Sequence, residues 1–174
     1  CQTYAEPVPT IRFLHSQTSL DRIVNLAAGT KTPGSILSEP QLFVRRREAL
    51  VPNLGMLERF YTLDGYDGGL LPLRMYAELH RRLVDMRDIW LCGRLYDQAK
   101  TVPSLRVIGM LNGRYLLLDG SITLTSQEQR LLRPVYSGSV SVYENTVALP
   151  RAFIVHKASV LNDENSVLAA LFAP

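Results

Sequence analysis

The sequence predicts an α+β fold: a mixed β-sheet flanked by a few helices in a single domain spanning residues 1–174. Three observations predict it. With 174 residues, 47% hydrophobic and 20% charged, the chain is long and apolar enough to bury a continuous core without disulfides or metals. Apolar residues recur every three or four positions across Leu71–Met86, as on a helix with one buried face. Elsewhere, short apolar runs bounded by Gly, Pro, Asn and Asp read as strands and hairpins. No repeat, low-complexity tract or composition shift marks a linker.

In chain order, Ile11, Leu14 and Leu20 surround a short stretch suited to starting a helix, and Asp21 to Leu26 alternates as a short strand does. Ala28 to Pro40 is rich in Gly, Thr, Ser and Pro and reads as a surface loop; its Gly29, Lys31 and Gly34 do not form a phosphate-binding loop. Leu42 to Val44 and Leu57 to Leu63 are expected strands, separated by the turn-forming Pro52-Asn53-Leu54-Gly55. On the helix over Leu71–Met86, Pro72 suits the first turn, Leu73, Tyr76, Leu79, Leu83 and Met86 form the apolar face, and Glu78 with Arg82 is an i,i+4 pair.

Ile89 to Leu91 reads as a strand. Leu105, Ile108 and Leu111 have helical spacing, with Asn112-Gly113 as a left-handed stop; Arg114 to Leu118 then forms a buried strand ended by Asp119-Gly120. Thr125 and Glu128 form a capping box for a short helix that Pro134 interrupts. Val135-Tyr136 and Val140 to Tyr143 form a hairpin around Ser137-Gly138, and Ala152 to Val155 is a further strand. Asn162 or Asp163 caps a last helix through Leu171, with Val167, Leu168 and Leu171 as its apolar face.

The apolar runs, such as Tyr115 to Leu118 and Val167 to Leu171, are far shorter than the roughly 20 residues that cross a bilayer. The chain opens at Cys1 without an initiator Met or signal peptide, which suggests an excised fragment. Cys1 and Cys92 are the only cysteines, so no disulfide framework or thiolate zinc site is read from them. The 16 Arg and 3 Lys give a formal charge of +3. An Arg-biased surface is compatible with anionic glycan, lipid headgroups or nucleic acid, because the guanidinium pairs bidentately with carboxylate and phosphate.

His15, His80 and His156 are widely separated and belong to no metal-binding spacing, so no metal or cofactor is expected. No Gly-x-Ser-x-Gly elbow occurs, and no catalytic residue is assigned. The densest polar cluster is Asp64-Gly65-Tyr66-Asp67-Gly68-Gly69, whose carboxylates suit a hard cation or a sugar hydroxyl and whose Tyr66 suits stacking on a pyranose; a tight turn explains the same residues. Arg45-Arg46-Arg47, placed on a strand, points alternately to opposite faces and lacks the aromatic platforms of a single-strand nucleic-acid surface, so no nucleic-acid partner is expected.

Several segments, read in order, resemble the C-terminal extracytoplasmic region of bacterial YfhO-like multi-pass membrane proteins, a family related to GT-C glycosyltransferases. They are Pro52-Asn53, Leu63-Asp64-Gly65-Tyr66-Asp67, Leu73-Arg74-Met75-Tyr76, Leu111-Asn112-Gly113-Arg114-Tyr115-Leu116, Val142-Tyr143-Glu144-Asn145 and Ala148-Leu149-Pro150-Arg151-Ala152-Phe153. The chain departs from the pattern at Gly113, where the family prefers a β-branched residue, and at Gly68-Gly69, where a proline is expected. The resemblance implies a domain on the extracytoplasmic face of the bacterial cytoplasmic membrane, partnered by transmembrane helices of its own polypeptide. It also implies cell-envelope glycan or lipid-linked sugar as ligand. The catalytic acidic residue of GT-C proteins would lie outside this segment.

The expected function is therefore an accessory domain, with Asp64, Tyr66, Asp67, Arg74, Arg114, Asn145 and Arg151 as candidate ligand-binding residues. Two other readings stay open. One is a structural or protein-interaction domain without ligand, in which Arg151 simply pairs with Glu144; the other is an independent soluble hydrolase whose polar residues converge only in the fold.

Overall fold

The computed structural model describes residues 8–17, 20–27, 40–51, 53–63, 74–84 and 99–173. Within them the chain forms α1 (Pro9–Gln17), β1 (Arg22–Asn25), α2 (Pro40–Glu48), α3 (Leu54–Leu57), β2 (Tyr61–Thr62) and α4 (Arg74–Val84). It continues through α5 (Leu105–Met110), β3 (Gly113–Leu118), α6 (Ser126–Leu131), β4 (Leu132–Tyr136), β5 (Ser141–Asn145) and α7 (Glu164–Leu171). The strands form one sheet in the order β2-β1-β3-β5-β4. β1 runs parallel to β2 and β3, whereas β5 is antiparallel to both β3 and β4. The fold is the α+β class with a mixed sheet that the sequence predicts.

Both faces of the sheet are covered, which explains the continuous apolar run in β3. Side chains alternate across a strand, so Tyr115 and Leu117 join Ile11 and Leu14 of α1 in one core, together with Ile23 and Val142. Leu116 and Leu118 point the other way and join Leu83 of α4 with Val107 and Ile108 of α5. Ile23 and Val24 divide between the two cores in the same manner. At the outer edge, β4 carries Pro134, and the β4–β5 register shifts between Pro134 and Tyr136. A missing N–H and an irregular ladder both discourage another strand from adding there.

Local signals set several boundaries. Thr125 Oγ1 accepts from Glu128 N at 3.3 Å and Glu128 Oε2 accepts from Thr125 N at 2.6 Å, completing the expected capping box of α6. Asp163 caps α7 by accepting from Ser166 N at 3.0 Å, and its hydrogen bonds with Ser166 lower the carboxyl pKa. Asn112 stops α5 with φ 63°, the left-handed conformation that Asn tolerates better than most residues.

Other expectations are corrected. Leu42 to Val44 lies in α2 and not in a strand, so Arg45, Arg46 and Arg47 occupy the last turn of a helix, where cations oppose the negative end of its dipole. Arg47 also forms an ion pair with Glu58, both largely buried. The strand expected over Leu57 to Leu63 is reduced to Tyr61–Thr62, because Leu54–Leu57 closes a helical turn after Asn53, which stands at φ 74°. Glu78 pairs with Arg81, one position nearer than expected, while Arg82 donates to Asn165 Oδ1 at 3.5 Å. On α4, Leu83 is buried and Leu79 packs against the same core as expected, whereas Tyr76 is exposed and His80, not expected there, is buried. In α7 only Leu168 of the expected apolar face is fully buried. Ala152 to Val155 forms no strand. The loop over 28–39, the strand expected over 89–91, both cysteines and the ends of the Leu71–Met86 helix lie outside the described residues.

His80 is 1% exposed, and burial lowers its pKa from 6.5 to about 4. The unfolded chain therefore takes up this proton first as pH falls. The contribution is complete above pH 6.5 and is lost progressively from there toward pH 4. Urea unfolding of the wild type should show a stability loss of about 2 kcal/mol between pH 7.5 and 5, and His80→Gln should remove most of that difference. An equal loss in the variant would assign it to other groups.

Candidate functional site

The amino ends of the parallel strands and the carboxyl end of β5 meet at one edge of the fold. Asn145, the last residue of β5 and 1% exposed, organises it. Its Nδ2 donates to the carbonyls of Leu105 at 2.9 Å and Gly113 at 3.1 Å, while its Oδ1 accepts from Val147 N at 3.3 Å. One side chain thus joins the first residue of α5, the first residue of β3 and the turn after β5. The turn is seated closely. Leu149 N donates to Gly109 O at 3.0 Å, and a Cβ on Gly109 would stand 2.7 Å from Val147 O, so only glycine fits.

Gly113 is constrained in the same way, since an added Cβ would lie 2.3 Å from Ile108 Cγ2. The helix α5 therefore packs too closely on the start of β3 for a side chain there. Beside it, Asn112 Nδ2 donates to Leu149 O at 2.9 Å and to Asp21 Oδ1 at 3.3 Å. Asn112 thereby fixes the acidic residue that precedes β1.

Asp21 and Glu144 bracket Arg114. Arg114 Nε lies 3.0 Å from Asp21 Oδ1, an ion pair in which the N–H is not aimed at the oxygen, and Nη1 donates to Glu144 Oε1 at 3.4 Å. Partial desolvation disfavours the charge on Arg114, but the two carboxylates outweigh it and hold the guanidinium pKa above its ordinary value. Burial, with Glu144 and Asp21 nearby, likewise raises the Tyr115 pKa and keeps that hydroxyl neutral. Glu144 Oε2 accepts from Arg133 Nε at 3.1 Å. Arg22 Nη1 donates to Leu111 O at 3.1 Å.

Arg151 completes the edge. Its Nη1 donates to Leu20 O at 3.1 Å, and its guanidinium lies 4.1 Å from the centre of the Tyr61 ring. The expected pairing of Arg151 with Glu144 is therefore replaced: Glu144 serves Arg114 and Arg133. Four guanidinium groups (Arg22, Arg114, Arg133, Arg151) share the edge with two carboxylates (Asp21, Glu144), leaving a positive excess. Such a set supplies N–H donors to an anion. It contains no nucleophile paired with a base among the described residues.

Of the candidate residues, Arg114, Asn145 and Arg151 come together here. Arg74 does not: it stands exposed on α4 and pairs with Glu164 of α7 at 3.0 Å. Asp64, Tyr66 and Asp67 lie outside the described residues. Asp21, Arg22, Tyr61 and Arg133 were not expected at the edge. Their partners are distant in sequence, as in the contact between Asn112 and Asp21 across 91 positions, and no local spacing announces them.

Asn25 is a further unanticipated group, buried at the opposite end of β1. Its Oδ1 accepts from Ala27 N at 2.9 Å, while Nδ2 has no hydrogen-bond partner among the described residues. A separate cleft of about 290 Å³ lies between the starts of α5 and α6, bordered by Ser104, Arg106, Gln127, Glu128 and Phe172. None of the candidate residues lines it. Among the described residues, no three His, Cys, Asp or Glu side chains are grouped to hold a metal ion, and no helix is long and apolar enough to cross a membrane. Comparison with family models, curated proteins and solved structures yields no match to this chain.

Asn145→Ala should lower stability by about 2–4 kcal/mol, because it leaves buried backbone groups of three segments unpaired. The test is the urea midpoint at constant denaturant slope. A loss under about 1 kcal/mol would show that the edge is not held by this side chain.

Proposed function

We propose that this chain is a non-catalytic accessory domain that holds the phosphate or carboxylate of an anionic sugar at its arginine-rich sheet edge. The observation that carries the reading is the excess of guanidinium over carboxylate at an accessible edge, with Arg151 laid against Tyr61 and Arg133 two-thirds exposed. Arg133 and Arg151 are the groups with surface left for a ligand. Arg114 is more enclosed and fixes the carboxylates around which they stand.

The motif resemblance supports placing this activity on the extracytoplasmic face of a bacterial membrane, beside transmembrane helices of the same polypeptide. On this reading the ligand is a cell-envelope glycan or a lipid-linked sugar, and the sugar-transfer chemistry belongs to the membrane portion. Asn145 is then a positioning residue, since its polar atoms are all spent on the backbone.

Calorimetric titration with glucose 1-phosphate, and with a short-chain polyprenyl phosphate in detergent, tests the assignment. Binding should weaken with salt. Arg133→Ala and Arg151→Ala should each reduce affinity about tenfold, the scale of a lost charge-assisted hydrogen bond, with the melting temperature unchanged. Failure to bind any phosphate- or carboxylate-bearing sugar, or equal affinity in both variants, would overturn the reading.

A further inference from the structure

The segment after the Asn145 turn is unlike the rest of the surface. Residues 150–162 adopt no helix or strand and make no backbone hydrogen bond to the other described residues. Ile154 is 83% exposed, Val155 68% and Val160 93%, with Phe153 and Leu161 also open. Leu20 and Met56 with Leu57, which precede β1 and β2, are exposed too, and Arg151 ties the segment to that end through Leu20 O and Tyr61. Clustered exposed apolar residues of this kind mark an interaction surface.

Charge and geometry select the partner. From Leu149 to Asn162 the sequence holds Arg151, His156 and Lys157 and no acidic residue. Among the described residues next to Met56 and Leu57 in sequence, Arg59 is exposed and Glu58 is buried against Arg47. Pairing with a second copy as an antiparallel strand centred on Ile154 would set Arg151 opposite Lys157, and like charges directly across a ladder are destabilising. Phe153, Ile154 and Val155 are consecutive, so an extended backbone presents apolar side chains on both of its sides. A surrounding medium satisfies both sides; a single protein surface satisfies one.

We infer that residues 151–161 form an interfacial membrane anchor, in which Phe153, Ile154 and Val155 enter the headgroup–acyl boundary of an anionic bilayer and Arg151 and Lys157 pair with lipid phosphates. At that depth the unpaired backbone stays hydrated, which the hydrocarbon centre would not allow. The inference goes beyond the sugar-binding reading and does not depend on it. It gives the domain a lipid-facing side of its own, next to the edge where the arginines lie.

Co-sedimentation with vesicles of phosphatidylcholine containing phosphatidylglycerol, against vesicles of phosphatidylcholine alone, tests it. The wild type should bind the anionic vesicles. Ile154→Asp should weaken that binding about tenfold or more, as expected when one buried aliphatic side chain is replaced by a charge. Lys157→Glu should weaken it by a smaller factor that shrinks as salt is raised. Both sites are exposed, so unchanged circular dichroism and melting confirm the fold, and unchanged glucose 1-phosphate affinity separates this test from the sugar-binding one. No binding by the wild type, or undiminished binding by Ile154→Asp, would overturn the inference. So would a wild-type dimer by light scattering that Ile154→Asp returns to monomer, since the occupant would then be a second copy. Loss in Arg151→Ala with full retention in Ile154→Asp would assign binding to headgroups at the sheet edge and overturn insertion.

Discussion

The buried amide of Asn145 is the constraint on which the sheet edge depends. A carboxamide enclosed at the end of β5 must find partners or lose the hydration it had in the unfolded chain, and it finds them in three backbone groups from separate segments. Satisfying them fixes where α5 begins relative to β3, and how the chain turns after β5. From that turn follow the contact of Leu149 with Gly109, the bond from Asn112 to Leu149, and the placement of Asp21 by the same Asn112. The arginines of the edge are arranged around residues that this buried chemistry has already positioned.

The remainder of the fold supplies a rigid backing. β3 is buried on both faces, with α1 against one side and α4 and α5 against the other, so its amino end has little freedom to move. Ligands in open sheets of parallel strands usually bind beyond the carboxyl ends. Here the charged cluster occupies the amino ends instead, where the antiparallel β5 delivers its own carboxyl end and brings Glu144 beside Arg114. A mixed sheet makes that meeting possible. The carboxyl end of β1 retains a buried polar group in Asn25, and β2 leads in sequence toward the Asp64 cluster.

What was legible in the sequence is what short-range physics decides. The capping box at Thr125 and Glu128, the left-handed Asn112, the strand from Arg114 and the β4–β5 hairpin each depend on residues within a few positions of one another. Leu42 to Val44 has the composition of a strand, yet it folds as helix because Val44 packs against the α1 side of the core and Arg47 reaches Glu58. Ala152 to Val155 has strand propensity but pairs with no strand among the described residues, and propensity alone does not make a ladder. Of the four candidate residues among those described, Arg114, Asn145 and Arg151 converge and Arg74 does not. Arg114 is partnered by Asp21 and Glu144, Arg151 by Tyr61, and Arg133 reaches the group through Glu144, all from other parts of the sequence, so the pattern exists only after folding.

On the proposed reading, this edge, and not the cleft between α5 and α6, is where the domain meets an anion. Nuclear magnetic resonance mapping of arginine Nε and backbone amide shifts during titration with a sugar phosphate tests it most directly. Saturable changes centred on Arg133, Arg151 and Tyr61 are the expected result. Changes centred on Ser104, Arg106 and Gln127, with the edge arginines unmoved, would contradict it.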